Sequence, residues 1–196
     1  MVINGETLLL LEPIKNMAHT KIQENGVSYG LSEVGYDIRI KQEVRWTPPD
    51  PMKFIKYVQY PPVSPEDYRR AFFGYTTVYN ADGSFKESIG RTVLASSIEK
   101  FDVPKNLWGE LRNKSTHARC FLDASIGTDI EPGWRGFLTI EIIFHGNEPL
   151  TIPAGSGMAK VVFHQTLNVA GYEGKYQDQE DRPVESIFKN DKSSDS

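Results

Sequence analysis

Two stretches of this chain carry residue types that can do chemistry. In the first, Asn113-Lys114-Ser115-Thr116-His117-Ala118-Arg119-Cys120 gathers two cations, two hydroxyls and an imidazole within eight residues. Small polar residues leave backbone N–H groups free to face a ligand. Lys and Arg add charge, and the Arg fork matches phosphate oxygens. A triphosphate suits such a cluster; a solvated turn with an N-cap is the plain alternative. The second stretch is Phe137-Leu-Thr-Ile-Glu-Ile-Ile-Phe144. Strand alternation sends Leu138, Ile140, Ile142 and Phe144 to one face, and Thr139, Glu141 and Ile143 to the other. Glu141 then sits mid-strand between isoleucines. Desolvation there disfavours its charged form and moves it toward the range useful for proton transfer. The alternative is a single charge on a half-solvated face.

Both stretches need a scaffold, and the turn chemistry indicates which kind. From Gly90 to Thr166, Arg91–Ile98, Leu107–Arg112 and Gly136–Phe144 read as strands, although Leu107–Arg112 could begin as a helix. Turn signals fall at Val103-Pro-Lys-Asn, Glu131-Pro-Gly-Trp, His145-Gly-Asn-Glu-Pro and Pro153-Ala-Gly-Ser-Gly. Short strands at this spacing predict an all-β barrel or sandwich. Upstream, Tyr36-Asp-Ile-Arg-Ile40 alternates as a strand does. Residues 47–89 are rich in Pro and aromatics, with six of the twelve prolines between Pro48 and Pro65. They predict a loop or ordered excursion. Within it, Pro65–Phe73 reads as one or two helical turns and Ala81-Asp-Gly-Ser as a hairpin turn. The expected organisation is one β domain over 1–188 that includes the 47–89 excursion, followed by a flexible tail at 189–196.

Composition narrows the function classes. The length of 196 residues fits one domain with a real core. Against 26 Asp and Glu there are 22 Lys and Arg, a net charge of −4, so no basic face for nucleic acid is expected. Hydrophobic residues at 39% and aromatics at 11% describe a folded, soluble protein. The one cysteine, Cys120, excludes a disulfide framework, a Cys-based zinc site and the zinc nucleobase-deaminase signature within one chain. His117 and His145 lack a matched third ligand and read as surface or packing residues. The first residues have no signal-peptide character, no apolar run reaches the length of a membrane span, and the expected location is cytoplasmic.

Lys114-Ser-Thr-His-Ala-Arg-Cys followed by Glu131-Pro-Gly-Trp-Arg-Gly-Phe-Leu-Thr-Ile-Glu resembles the dCTP deaminases of the trimeric dUTPase superfamily. Ser28-Tyr-Gly-Leu-Ser-Glu-Val-Gly-Tyr-Asp-Ile-Arg is similar to that family's N-terminal motif, and Tyr172-Glu-Gly-Lys-Tyr-Gln-Asp-Gln to its C-terminal lid. Thr92–Pro104 fits the strand and turn before the first motif. The resemblance spans roughly residues 28–46 and 90–188, with several separated motifs in the right order.

The resemblance implies a mainly β, distorted dUTPase-like barrel of jelly-roll type with a few short helices, assembled as a homotrimer with sites between subunits. It implies that Glu141 is the acid/base that takes a proton from the water attacking C4 of cytosine, then helps protonate N3 and the departing ammonia. A positioned base and a stabilised tetrahedral centre would replace zinc. Ser115 and Arg119 match residues that hold this water and orient the Glu. Lys114, with its neighbour Thr116, matches the phosphate-binding turn. Tyr172, Lys175 and Gln179 match the segment that closes over the triphosphate. Glu131 matches a contact to the sugar hydroxyl, and Ile130 would lie near the base. Mg²⁺ would arrive on the triphosphate with mostly water as its other ligands, without a dedicated protein cage.

The implied activity is hydrolytic deamination of dCTP to dUTP and ammonia, with dUTP or dTTP as further ligands, product or inhibitor. One departure keeps an alternative open. Asp123 falls near the catalytic Asp of trimeric dUTPases, and Asp129 is close by, so an enzyme that also cleaves the triphosphate to dUMP and pyrophosphate, or a plain dUTPase, remains in play. Glu141 speaks against a plain dUTPase, whose matching strand residue is apolar. The set of Ser115, Arg119 and Glu141 speaks against a catalytically silent nucleotide binder.

Overall fold

The alternation read in the second stretch is realised. Leu138, Ile140, Ile142 and Phe144 are all buried, at most 4% exposed, while Glu141 and Ile143 on the opposite face are only half-buried. Thr139, on the Glu141 face, is also buried, because another segment covers it. In this computed structural model residues 1–48, 77–79, 85–88, 91–125, 129–184 and 187 are described. The expected helical turns at Pro65–Phe73, the hairpin turn at Ala81–Ser84, most of the 47–89 excursion and the tail at 189–196 lie outside the described residues.

The elements run β1 (Val2–Ile3), α1 (Gly5–Leu11), β2 (Lys21–Glu24), β3 (Val27–Leu31), β4 (Tyr36–Arg39), β5 (Val44–Trp46), β6 (Thr77–Tyr79) and β7 (Phe85–Ser88). They continue with β8 (Thr92–Asp102), β9 (Leu107–Asn113), α2 (Ser115–Arg119), β10 (Leu122–Asp123), β11 (Asp129–Ile130), β12 (Arg135–Phe144), β13 (Leu150–Ile152) and β14 (Gly157–Gln165). The protein is mainly β with short helices, as expected. Leu107–Arg112 belongs to a strand rather than a helix. Its alternate residues Leu107, Gly109 and Leu111 are buried, which is the period of a strand.

The larger sheet has the order β11-β9-β14-β4-β3-β2, with β1 also pairing β14; a second sheet is β10-β12-β8. Two ribbons, β13 with β5 and β6 with β7, complete the pairing. All these pairs are antiparallel. Among the described residues the sheets stay open and do not close into the barrel that was expected: the larger one ends at β11 and β2, which do not pair. Irregularities in register between Gly157 and Ala159 and between Phe137 and Thr139 bend β14 and β12. Chain from both sheets fills one apolar core, in which Ile38, Val161 and Phe163 join Phe101, Ile140 and Phe144. The Trp46 ring stacks on Phe144 at 4.9 Å between centroids and 3° between planes. Two hydrogen bonds join the chain after β4 and the chain before β2 to β8: Lys41 N to the Ser96 carbonyl and Lys15 N to the Lys100 carbonyl, both 2.8 Å.

Candidate active site

The cationic stretch forms α2, a helix of only five residues. One turn is unstable alone, because nucleation fixes many dihedrals for few hydrogen bonds. Its N-cap, Lys114, is extended and caps nothing with its side chain. Contacts to the larger sheet hold it instead. The Lys114 ammonium donates to Asp37 Oδ2 at 2.5 Å, to the Ser28 carbonyl at 2.8 Å and to the Ser28 hydroxyl at 3.2 Å. One turn on, His117 Nε2 lies 2.8 Å from the Gly157 carbonyl. A carbonyl only accepts, so Nε2 carries the proton. Burial pushes the His117 imidazole below its ordinary value; the bond to Gly157 opposes this and the Lys114 charge adds to it. Among the sequence expectations, His117 therefore takes the packing role.

With Lys114 and His117 turned inward, Ser115, Thr116 and Arg119 are all left exposed at the surface. Ser115 and Arg119 are four residues apart and share one side of the helix. The chain then enters β10, where Leu122 pairs with Phe144 and Asp123 with Ile143 of β12. Asp123 Oδ1 accepts from the Ser125 N–H at 2.8 Å and from its hydroxyl at 2.7 Å. Asp129 is exposed at the start of β11. Ile130 is buried against Gly109 of β9, and Glu131 is exposed in the turn that follows.

Glu141 stands on β12 opposite Leu94 of β8, and Thr139 two residues back stands opposite Ser96. Paired residues share a face, so this side of the sheet carries Glu141, Leu94, Thr139 and Ser96 together. Two amides cover its polar end. Gln42 Oε1 accepts from the Ser96 N–H at 2.8 Å. Gln179 Oε1 accepts from the Thr139 N–H and hydroxyl, both at 3.3 Å.

Gln179 belongs to a C-terminal strap that lies along β12. Its carbonyl accepts from Phe137 N at 3.1 Å, and the Gly136–Gln179 contact is a parallel bridge. The close approach requires glycine: at Gly136 φ is +133°, and a Cβ would stand 2.5 Å from Gln179 N. Trp134 Nε1 donates to the Tyr176 carbonyl at 2.7 Å, and Arg135 forks onto Asp178 at 2.9 and 3.0 Å. Val184 N reaches the Thr139 hydroxyl at 3.0 Å. Tyr172 is half-buried and its hydroxyl accepts from Tyr176 N at 3.3 Å. The Lys175 ammonium donates to the Ile187 carbonyl and lies 5.0 Å from the Tyr176 ring centre.

The structure thus gathers Gln179 beside Thr139 on the Glu141 face, and Ser115, Thr116 and Arg119 on α2. It turns Lys114 inward, to Asp37. Asp37, Ser28, Thr139 and Gly157 carry geometry that sequence reasoning did not assign to any role. Asp37 had a signal: like Glu141, it is a charge between apolar residues of an alternating strand. Among the described residues no group of three or more His, Cys, Asp or Glu could hold a metal ion.

A family model described as dCTP deaminase-like matches residues 10–166. The chain belongs to the dCTP deaminase-like family. A dCTP deaminase of Herpetosiphon aurantiacus is 37% identical over 158 residues, 78% of this chain and 79% of that protein. One of Chlamydia muridarum is 31% identical over 179 residues, 87% of each. A solved 2′-deoxycytidine 5′-triphosphate deaminase from Agrobacterium tumefaciens overlays with a TM-score of 0.49 at 14% identity, over 84% of this chain and 48% of that one. The dCTP deaminase-like match takes in Asp37, α2 and Glu141 and ends just past β14. The strap with Tyr172, Lys175 and Gln179 lies beyond it.

Proposed function

We infer that the protein deaminates dCTP to dUTP and ammonia by zinc-independent hydrolysis, with Glu141 as the acid/base. The observation that carries this is the setting of Glu141 in a chain of the dCTP deaminase-like family. It is a half-buried carboxylate mid-strand, with Leu94 opposite and the polar Thr139–Gln179 contact beside it. Glu141 takes a proton from water as the oxygen bonds to C4 and passes it to N3. It then carries the proton of the new C4 hydroxyl to the amino group, so that the C4–N bond breaks, ammonia leaves and C4 becomes the uracil carbonyl. Ser115 and Arg119 hold the water and orient the carboxylate. Thr116, the charge of Lys114, Tyr172, Lys175 and Gln179 serve the triphosphate. Glu131 takes the sugar hydroxyl, and Ile130 lies near the base.

In this reading α2 and β12 meet across subunits of a homotrimer, which suits an α2 whose Ser115 and Arg119 face outward. Mg²⁺ is carried by triphosphate oxygens and water rather than by a protein cage. Cys120 is exposed and unpaired, which suits a cytoplasmic, reducing setting. A second reading adds cleavage of dUTP to dUMP and pyrophosphate. It rests on Asp123, paired next to Ile143 on the Glu141 strand.

One incubation with dCTP and Mg²⁺ tests both, with ammonia, dUTP, dUMP and pyrophosphate measured separately. Ammonia with equal dUTP supports the first reading; ammonia with dUMP and pyrophosphate supports the second. Glu141→Gln is expected to abolish ammonia while dCTP binding survives. Deamination by that variant refutes the assignment of Glu141.

A further inference from the structure

We propose that Asp37 is a positioning residue for α2: its buried carboxylate fixes Lys114, and through Lys114 it sets where Ser115 and Arg119 stand. The inference rests on the deaminase reading for the roles of Ser115 and Arg119. The anchor itself rests on geometry alone.

An ammonium has three N–H donors. Those of Lys114 meet three acceptors: Asp37 Oδ2, the Ser28 carbonyl and the Ser28 hydroxyl. The side chain is only 10% exposed, and that of Asp37 3%. None of the three donors is left for a phosphate in this arrangement. Lys114 therefore acts on a nucleotide at most through its charge, while its bonds are spent on the sheet.

Asp37 is itself held in place. It sits on β4 between β3 and β14, and Lys160, its partner across the β14 pairing, comes within 3.6 Å of Oδ1. The Ser28 hydroxyl donates to Oδ2 at 3.4 Å. On the same face of β4, Arg39 pairs with the buried Glu99 at 2.8 Å and lies 4.1 Å from the Tyr29 ring centre. The anchor is thus part of a firm polar layer rather than a loose surface contact.

A single anchor would leave α2 free to rotate. The second is His117, one turn on, bound to Gly157. The two acceptor sites adjoin, since a Cβ at Gly157 would stand 2.2 Å from the Ser28 carbonyl oxygen. Anchors at the first and fourth of successive positions fix both the height and the rotation of a one-turn helix. The outward side, with Ser115 and Arg119, follows from them.

The experiment compares the full-length protein with Asp37→Asn, Lys114→Met, the double variant and Lys114→Arg. Steady-state deamination of dCTP and hydrogen exchange of the α2 amides are both read. In Asp37→Asn, kcat is expected to fall by about 10- to 100-fold with KM within about threefold, because misplacement rather than lost binding is the defect. Exchange at residues 115–119 should rise while β9 and β14 stay protected. Lys114→Met should give the same fall in kcat and the same rise in exchange, with a higher KM as well, because the charge that serves the triphosphate is lost. The double variant should lose no more than the worse single one, since neither charge is then stranded. Lys114→Arg, which keeps a charge for Asp37, should recover part of kcat.

A higher KM for dCTP with kcat retained and α2 exchange unchanged would overturn the proposal, since Asp37 and Lys114 would then act on the nucleotide. So would normal kcat and exchange in Asp37→Asn. If Asp37→Asn does not fold, the double variant, which buries no lone charge, gives the same test against Lys114→Arg. If the unaltered protein makes no ammonia, the deaminase reading fails by itself, and exchange at α2 still decides whether Asp37 anchors it.

Discussion

Replacing Gly157 with alanine attacks the packing beneath α2 at its tightest point. An added Cβ would stand 2.2 Å from the Ser28 oxygen and 2.9 Å from the Ser28 carbonyl carbon. Both are backbone atoms, so no side chain can swing away. Ordinary contact begins near 3.4 Å, which requires the two strands to part by about 1.2 Å at this point. The Ser28 carbonyl accepts from Lys114 at 2.8 Å, and a displacement of that size breaks the bond. Overpacking costs about 1–3 kcal/mol, and a lost hydrogen bond to a charged group about 1.5–3 kcal/mol. Some relaxation is shared between the two, so the expected loss is about 3 kcal/mol. Urea unfolding followed by tryptophan fluorescence measures it, with the midpoint shifted and the slope unchanged. Deamination should fall as well, since the carbonyl that receives His117 moves with the strand. A Gly157→Ala variant within about 0.5 kcal/mol of the parent, with its activity intact, refutes the reasoning about this cradle.

Further outcomes are expected elsewhere. The neutral His117 is favoured by the folded state, and the unfolded chain takes up that proton at higher pH. Stability is therefore full above about pH 6.5 and falls on acidification through the window down to the depressed folded value; melting curves from about pH 8 to pH 5 should show this slope, and His117→Gln should lessen it. Trp46→Ala removes a fully buried ring stacked on Phe144 and should cost about 3–5 kcal/mol in chemical unfolding. Arg135→Ala opens an exposed clasp to Asp178; the melting temperature should hardly move, while limited proteolysis within the strap should quicken.

Periodicity made much of this fold legible. The two-residue repeat over Leu138–Phe144 named the buried side of β12 and set Glu141 apart from it. Strand β8 runs on to Asp102, beyond the expected end at Ile98, because Lys100 and Asp102 stay exposed while Glu99 and Phe101 are buried, which continues the alternation past the hydroxyl-rich Ser96-Ser97. Helix α1 was not anticipated: only Leu8 of its residues is buried, so no helical stripe marks it. The roles of Lys114 and Asp37 were hidden for a different reason. They are 77 residues apart in sequence, and their meeting depends on strand order, with β14 placed between β9 and β4. Local pattern carries no information about that order. The segment Tyr172–Gln179 was singled out only by the family resemblance, and its bonds to β12 depend on a tertiary match at Gly136 that no local pattern shows.

The strap also has a consequence for the life of incomplete chains. Around Phe137–Thr139, among the described residues, strand β12 pairs with β8 on one side, while the short β10 reaches only Ile143 and Phe144 on the other. It is Gln179 that receives the outward N–H groups of Phe137 and Thr139. A molecule clipped or released before this segment would keep its core but expose a bare ladder edge next to Phe137, the kind of surface that recruits strands from neighbouring molecules. Such a fragment should come out of solution as aggregates before its loss of catalysis could be noticed, so this late segment also guards the solubility of the residues made before it.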